Sequence, residues 1–96
     1  MAINLERFKV SGKVQRVFFR KYLQAEAERL GVTGWCANTA DGESVEGEIE
    51  ATPEILATMK NWLTKIGSPK SQISKSQFSV ISKSEVRKFK LFEIRK

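Results

Sequence analysis

The chain has no histidine and a single cysteine among its 96 residues. Without an imidazole there is no Ser-His-Asp or Cys-His nucleophile system and no histidine ligand for a metal. One cysteine, Cys36, admits neither an intramolecular disulfide nor a multi-thiolate metal site. Its place beside Trp35 in an apolar run reads as a small packed side chain in a reducing compartment. No apolar run approaches the roughly 20 residues needed to span a bilayer. The first strand begins within a few residues of Met1, which predicts that no signal or transit peptide is present. Acidic residues are also scarce: 11 Asp plus Glu stand against 17 Lys plus Arg, a net charge of +6. That balance favours anionic partners without choosing between a small phosphate, nucleic acid and a membrane surface. Hydrophobic content of 41% excludes disorder. A soluble, cytoplasmic, single domain spanning residues 1–96 is expected.

Periodicity gives the order of elements. Phe8 and Val10 alternate with Arg7 and Lys9, a strand over residues 5–11. Phe19, Leu23, Ala27 and Leu30 then fall at i, i+4, i+8 and i+11, an amphipathic helix over 20–30 that Gly31 stops. The segment V-T-G-W-C-A-N, ending at Asn38, reads as a second strand, and Thr39-Ala40-Asp41-Gly42 as a turn. From Val45 to Ala51, Glu46, Glu48 and Glu50 alternate with apolar residues, a strand whose acidic row is expected to be its solvated face. Thr52-Pro53 starts a second helix with a cap and a proline at the first helical position. Its stripe is Ile55, Met59, Trp62 and Ile66, widened by Leu56 and Leu63, and Gly67-Ser68-Pro69 ends it. Residues 72–81 and 88–94 read as two further strands, with buried rows at Phe78 and Val80 and at Phe92 and Ile94. The order β-α-β-β-α-β-β predicts an α+β fold, a ferredoxin-like βαββαβ sandwich. Both helices lie on one face of an antiparallel sheet, and an extra strand follows at the C-terminal end.

Two stretches carry the chemistry. Ser11 to Arg20 joins the first strand to the first helix through a glycine-started loop. A helix N-terminus leaves N–H groups unpaired and carries partial positive charge. Lys13, Arg16 and Arg20 lie in the same ten residues, so the stretch reads either as a receptor for a small anion such as phosphate or as a solvated cationic loop. Neither Walker-type nor dinucleotide-type glycine spacing is present. Asn38, entering the turn, either serves the turn or holds a water molecule through its amide.

At these stretches the chain resembles the acylphosphatase family. The pattern G-x-V-Q-G-V-x-F-R is matched by Gly12-Lys13-Val14-Gln15-Arg16-Val17-Phe18-Phe19-Arg20. A second, G-W-x-x-N-x-x-D-G followed by V-x-G, is matched by Gly34-Trp35-Cys36-Ala37-Asn38-Thr39-Ala40-Asp41-Gly42 and Val45-Glu46-Gly47. Gly67-Ser68-Pro69-Lys70-Ser71 and Phe89-x-x-Phe92-x-Ile94 are similar to the animal members. The resemblance implies the same sandwich, and an enzyme that hydrolyses the carboxyl–phosphate bond of acyl phosphates without metal or cofactor. It implies that Arg20 binds the phosphate and Asn38 orients the attacking water. The backbone N–H groups of Gln15, Arg16, Val17, Phe18 and Phe19 would wrap the phosphate oxygens. The physics agrees: phosphoryl transfer asks mainly for positioning and charge stabilisation, and a planar guanidinium grips two phosphate oxygens at once.

Arg16 departs from the family pattern, which has a second loop glycine there. Left-handed backbone costs a non-glycine residue about 1–2 kcal/mol, yet a second guanidinium adds charge beside the anion. The alternative to an active enzyme is therefore a catalytically impaired phosphate-binding module. Glu43-Ser44 adds one residue to the turn, which a bulge or longer turn absorbs. Nucleic-acid binding would need aromatic residues on the open sheet face; that face carries glutamates, and no RNP-type motif is visible. The expected partners are an acyl phosphate substrate and inorganic phosphate, with no nucleic acid, no membrane, and a monomeric chain.

Overall fold

A computed structural model describes residues 2–95. β1 spans Ile3–Lys13, α1 Phe19–Leu30, β2 Thr33–Asn38, β3 Ser44–Ala51 and α2 Pro53–Asn61. A π-helical turn, Trp62–Ile66, runs on from α2, followed by β4 at Gln72–Ser84 and β5 at Phe92–Arg95. The strands lie in the order β4-β1-β3-β2-β5. β1 pairs antiparallel with β3 and with β4, and β2 antiparallel with β3. β5, the extra strand, runs parallel to β2 at the far edge, so the sheet is mixed. β1-α1-β2 and β3-α2-β4 are thus two parallel units, each with a strand of the other inserted between its own strands. That interlocking is the ferredoxin-like fold expected from the element order.

Both helices cover one face. Phe19, Leu23 and Ala27 from α1, with Leu56 and Met59 from α2, are buried against Phe8, Val10, Cys36, Ile49 and Phe92 of the sheet. The Phe19 and Trp62 rings meet at 5.3 Å between centroids and join α1 to the π-helical turn that continues α2. Gly31 takes φ 79°, the left-handed stop anticipated for α1. Ile66 departs from expectation. The Gly67 N–H donates to Trp62 O, five residues back, at 2.9 Å. This wider turn breaks the 3.6-residue step, keeps Trp62 and Leu63 buried, and leaves Ile66 58% exposed.

Val80 and Ile94 also lie outside the buried rows assigned to them. β4 is an edge strand against which the π-helical turn packs, and a register shift lies opposite Leu5 and Glu6. Ser44, read as turn, begins β3 and is buried, its hydroxyl 2.8 Å from that of Ser11.

The acidic row is split. Glu46 and Glu48 stay on the solvated face and lie 4.0 and 3.9 Å from the Arg7 guanidinium. Glu50, in the same row, is only 1% exposed. The segment 85–91 must carry the chain from one sheet edge to the other, about 19 Å at strand spacing. It lies over the row Ser82, Leu5, Glu50 and Thr33, which are neighbours across four strands. There the Glu50 carboxylate accepts hydrogen bonds from the Thr33 hydroxyl (2.7 Å) and from the N–H groups of Lys88 (2.9 Å) and Phe89 (2.7 Å). The Arg87 guanidinium donates to Thr33 Oγ1 and to Glu50 O. Periodicity put Glu50 on the right face; the strap above that face decides its burial.

Replacing Glu50 by Ala strands two amide donors of the strap and is expected to cost about 2–3 kcal/mol. That corresponds to a fall in Tm of roughly 10–20 °C for a chain of this size. Thermal unfolding, with hydrogen exchange at Lys88 and Phe89, checks it; an unchanged Tm and unchanged protection would contradict the role.

Candidate functional site

The loop between β1 and α1 opens at Gly12, where β1 shifts register against β4. Its φ is 129°, and a Cβ there would stand 2.2 Å from Gln72 O, so only glycine fits. Further on, Arg16 and Phe18 take φ 63° and 58°, while Gln15 before them and Val17 between them keep negative φ. Alternation of this kind turns successive N–H groups toward a common point and makes an anion-binding concavity. Among the described residues, the N–H groups of Gln15 to Phe19 donate no hydrogen bond to the protein. α1 follows with no side-chain cap and no acidic residue in its first turn. Its positive end is left for a ligand. Arg16 therefore holds a left-handed backbone despite its side chain, and the alternation survives.

The structure brings most of the expected residues to one cavity of about 300 Å³. Arg16, Phe18, Phe19, Arg20 and Asn38 all line it. Val14, Lys21 and Ile94 line it too, and the sequence reading missed them as site residues. Lys21 had a signal, one residue after Arg20 on a helix N-terminus; Ile94 had none, because it arrives on β5. The side chains of Gln15 and Val17 go elsewhere. Val17 is buried in the core. The Gln15 amide donates to Thr39 O (3.0 Å) and Ser44 O (2.7 Å) and ties the loop to the turn between β2 and β3. The same turn is closed by Asp41, which accepts from the Thr39 hydroxyl and the Glu43 N–H. The first of these bonds does most to hold the Asp41 carboxyl below its ordinary range.

Arg20 sits in the first turn of α1 and gives one guanidinium N–H to Arg95 O at 3.4 Å. Its remaining donors have no partner among the described residues and can serve a ligand. Asn38, at the end of β2, is half-buried; its Oδ1 is buried with no hydrogen-bond partner among the described residues. An unpaired buried amide oxygen costs about 1–3 kcal/mol, which a water donating to it in the cavity would recover. Among the described residues no carboxylate lines the cavity, whereas Arg16, Arg20 and Lys21 do. Among the described residues no three His, Cys, Asp or Glu side chains gather as a metal site. Cys36 lies behind the site, fully buried. Burial pushes its thiol up to about 12 against the pull of the Arg20 charge, so it is no nucleophile.

Residues 6–94 match the family model described as Acylphosphatase. The chain is 44% identical to acylphosphatase-1 of Gallus gallus over 89 residues, which is 93% of this chain and 89% of that one. Among solved structures it is similar to an acylphosphatase from Coxiella burnetii, with TM-score 0.86 and 31% identity, covering 97% of this chain and 93% of the other. The acylphosphatase from Bacillus subtilis superposes with TM-score 0.83 at 30% identity, with both chains covered in full.

The raised thiol pKa gives a test of how firmly the site is backed. At pH 8 the folded protein keeps Cys36 protonated and shielded, so a disulfide reagent is expected to label it only as fast as the protein opens. Labelling within seconds in native buffer, rather than after urea is added, would contradict this.

Proposed function

The chain belongs to the acylphosphatase family and is an acylphosphatase, and from that premise we propose how its residues hydrolyse an acyl phosphate to carboxylate and inorganic phosphate without a metal. The Arg20 guanidinium and the N–H groups of Gln15 to Phe19 hold the phosphoryl oxygens. Asn38 accepts a hydrogen bond from a water and sets its oxygen in line with the phosphorus. As the P–O bond to the acyl group breaks, the carboxylate departs with the electron pair. The new P–O bond comes from the water, whose proton passes to phosphate or solvent. A carboxylate is a good leaving group, so no strong base is required, and the absence of histidine costs the reaction nothing.

One observation carries this reading: Asn38, whose buried Oδ1 has no hydrogen-bond partner among the described residues, lines the same cavity as Arg20 and the alternating-φ loop. The metal-free chemistry is supported by the residues themselves. Arg20 and Lys21 line the cavity and supply there the charge neutralisation that a metal supplies elsewhere. As in the sequence reading, the active chain is a cytoplasmic monomer, one domain across residues 1–96, that binds neither nucleic acid nor membrane. None of the described helices is long and apolar enough to cross a bilayer. Trp35 does lie on the open sheet face, but the Arg95 guanidinium covers its ring at 4.7 Å, which takes away the stacking platform a base would need.

Hydrolysis of benzoyl phosphate with chelator present tests the site. Arg20→Ala is expected to abolish both turnover and competitive inhibition by phosphate. Asn38→Ala should lower kcat by about 10²–10³, the scale measured for a lost transition-state contact, with phosphate inhibition retained. An unchanged kcat in Asn38→Ala would remove the water-orienting role. Arg16→Gly relieves about 1–2 kcal/mol of left-handed backbone cost and gives back roughly 0.5–1 kcal/mol in chain entropy. It is therefore expected to raise the urea midpoint slightly, and turnover with it. Lower turnover instead would make Arg16 a working part of the cradle.

A further inference from the structure

α1 carries a second stripe that the core does not use. Phe18, Lys21, Tyr22 and Ala25 fall at i, i+3, i+4 and i+7 and line an open cavity of about 330 Å³. The buried stripe of the same helix is Phe19, Leu23 and Ala27. Phe18 is 72% exposed and Tyr22 46%, and among the described residues they are the two aromatic side chains left this open. Folding gives no reason for them, since a solvent-facing helix stripe is ordinarily polar. Phe18 and Lys21 line the Arg20–Asn38 cavity as well, so the two spaces adjoin at these side chains.

We propose that this shelf is the acyl-group subsite, and that it makes the enzyme prefer acyl phosphates with an aryl or extended apolar acyl group over acetyl phosphate. The proposal rests on the assignment of Arg20, Asn38 and the loop as the phosphoryl site. Covalent geometry names the occupant. With phosphorus in the cradle, the carbonyl carbon is two bonds away and the rest of the acyl group must run out of the cavity. An in-line displacement sends the leaving group away from the attacking water, hence away from the buried Asn38 oxygen. The open way out holds Phe18. From Phe18 to Ala25 the helix rises about 10 Å, enough for a phenyl ring on a short linker or a medium alkyl chain. Tyr22 lies beside the shelf one turn along, with its backbone N–H bonded to Phe18 O at 3.0 Å. Contacts of this kind, remote from the reacting atoms, raise kcat/KM by binding substrate and transition state alike.

Tyr22 and Ala25 take no part in holding phosphate, so they carry the test. We would compare kcat/KM for acetyl, 3-phenylpropanoyl and octanoyl phosphates, together with inhibition by inorganic phosphate. Tyr22→Ala is expected to lower the 3-phenylpropanoyl value about tenfold, the scale for one ring face of apolar contact. Acetyl phosphate turnover and phosphate inhibition should stay within twofold of wild type. Ala25→Leu, which lengthens the apolar shelf, should raise the octanoyl value severalfold and leave acetyl phosphate unchanged. An equal fall for all substrates in Tyr22→Ala, or no change for any, would overturn the subsite while leaving the phosphoryl site standing. Failure of the wild type to hydrolyse any of the three would instead overturn the phosphoryl-site assignment, and the shelf with it.

Discussion

The site depends on how the loop between β1 and α1 is clamped from three sides. Val14 and Val17 bury their side chains in the core, and Gln15 bonds two carbonyls of the β2–β3 turn. Beside those anchors the backbone of Arg16 and Phe18 is held in a conformation that neither side chain favours. Strain of this order persists only where the surroundings over-determine it. Here its consequence is a row of unpaired N–H groups converging at the positive end of an uncapped helix. A relaxed loop would pair those donors locally, and the anion site would be lost.

Placement of the opposing groups follows from the interlocked topology. β2 ends beside the loop because α1 returns the chain across β3, so Asn38 faces the helix that carries Arg20. β5 then closes the cavity wall. Its parallel pairing with β2 brings Ile94 into the lining and puts Arg95 O within reach of Arg20. Gln24 donates to Phe92 O at 3.1 Å, a second tie between α1 and the last strand. The strap over Glu50 is what delivers β5 to that edge, so a carboxylate far from the cavity helps to hold one of its walls.

The rules of good local structure are broken here in one place at once. α1 has no side-chain N-cap, two non-glycine residues have positive φ, and among the described residues cations line the cavity without a carboxylate and a buried amide oxygen goes unpaired. Elsewhere turns and alternation agree with the fold, as in Pro53 at the start of α2 and the Asp41 turn, although Thr52 makes no side-chain cap bond. A concentration of local violations in an otherwise consistent chain is how a binding site differs from a structural loop.

Much of this was legible in the residues themselves. Alternation at Phe8 and Val10, the stripe from Phe19 to Leu30 and the stops at Gly31 and Gly67 are set by local geometry, and they suffice for the element order. The glycine-started loop with Arg20, and Asn38 before its turn, could be picked out because unpaired helix donors and turn amides are local properties. What covers a given face is not local. Glu50 reads like Glu46 and Glu48 along the strand, and only the strap crossing it buries it. Ile66 continues the stripe in sequence, but the wider turn before Gly67 swings it out. Lys21 and Ile94 share a cavity only because a helix start and the last strand meet across more than 70 residues of chain. Periodicity assigns each side chain a direction; tertiary packing alone decides what waits in that direction.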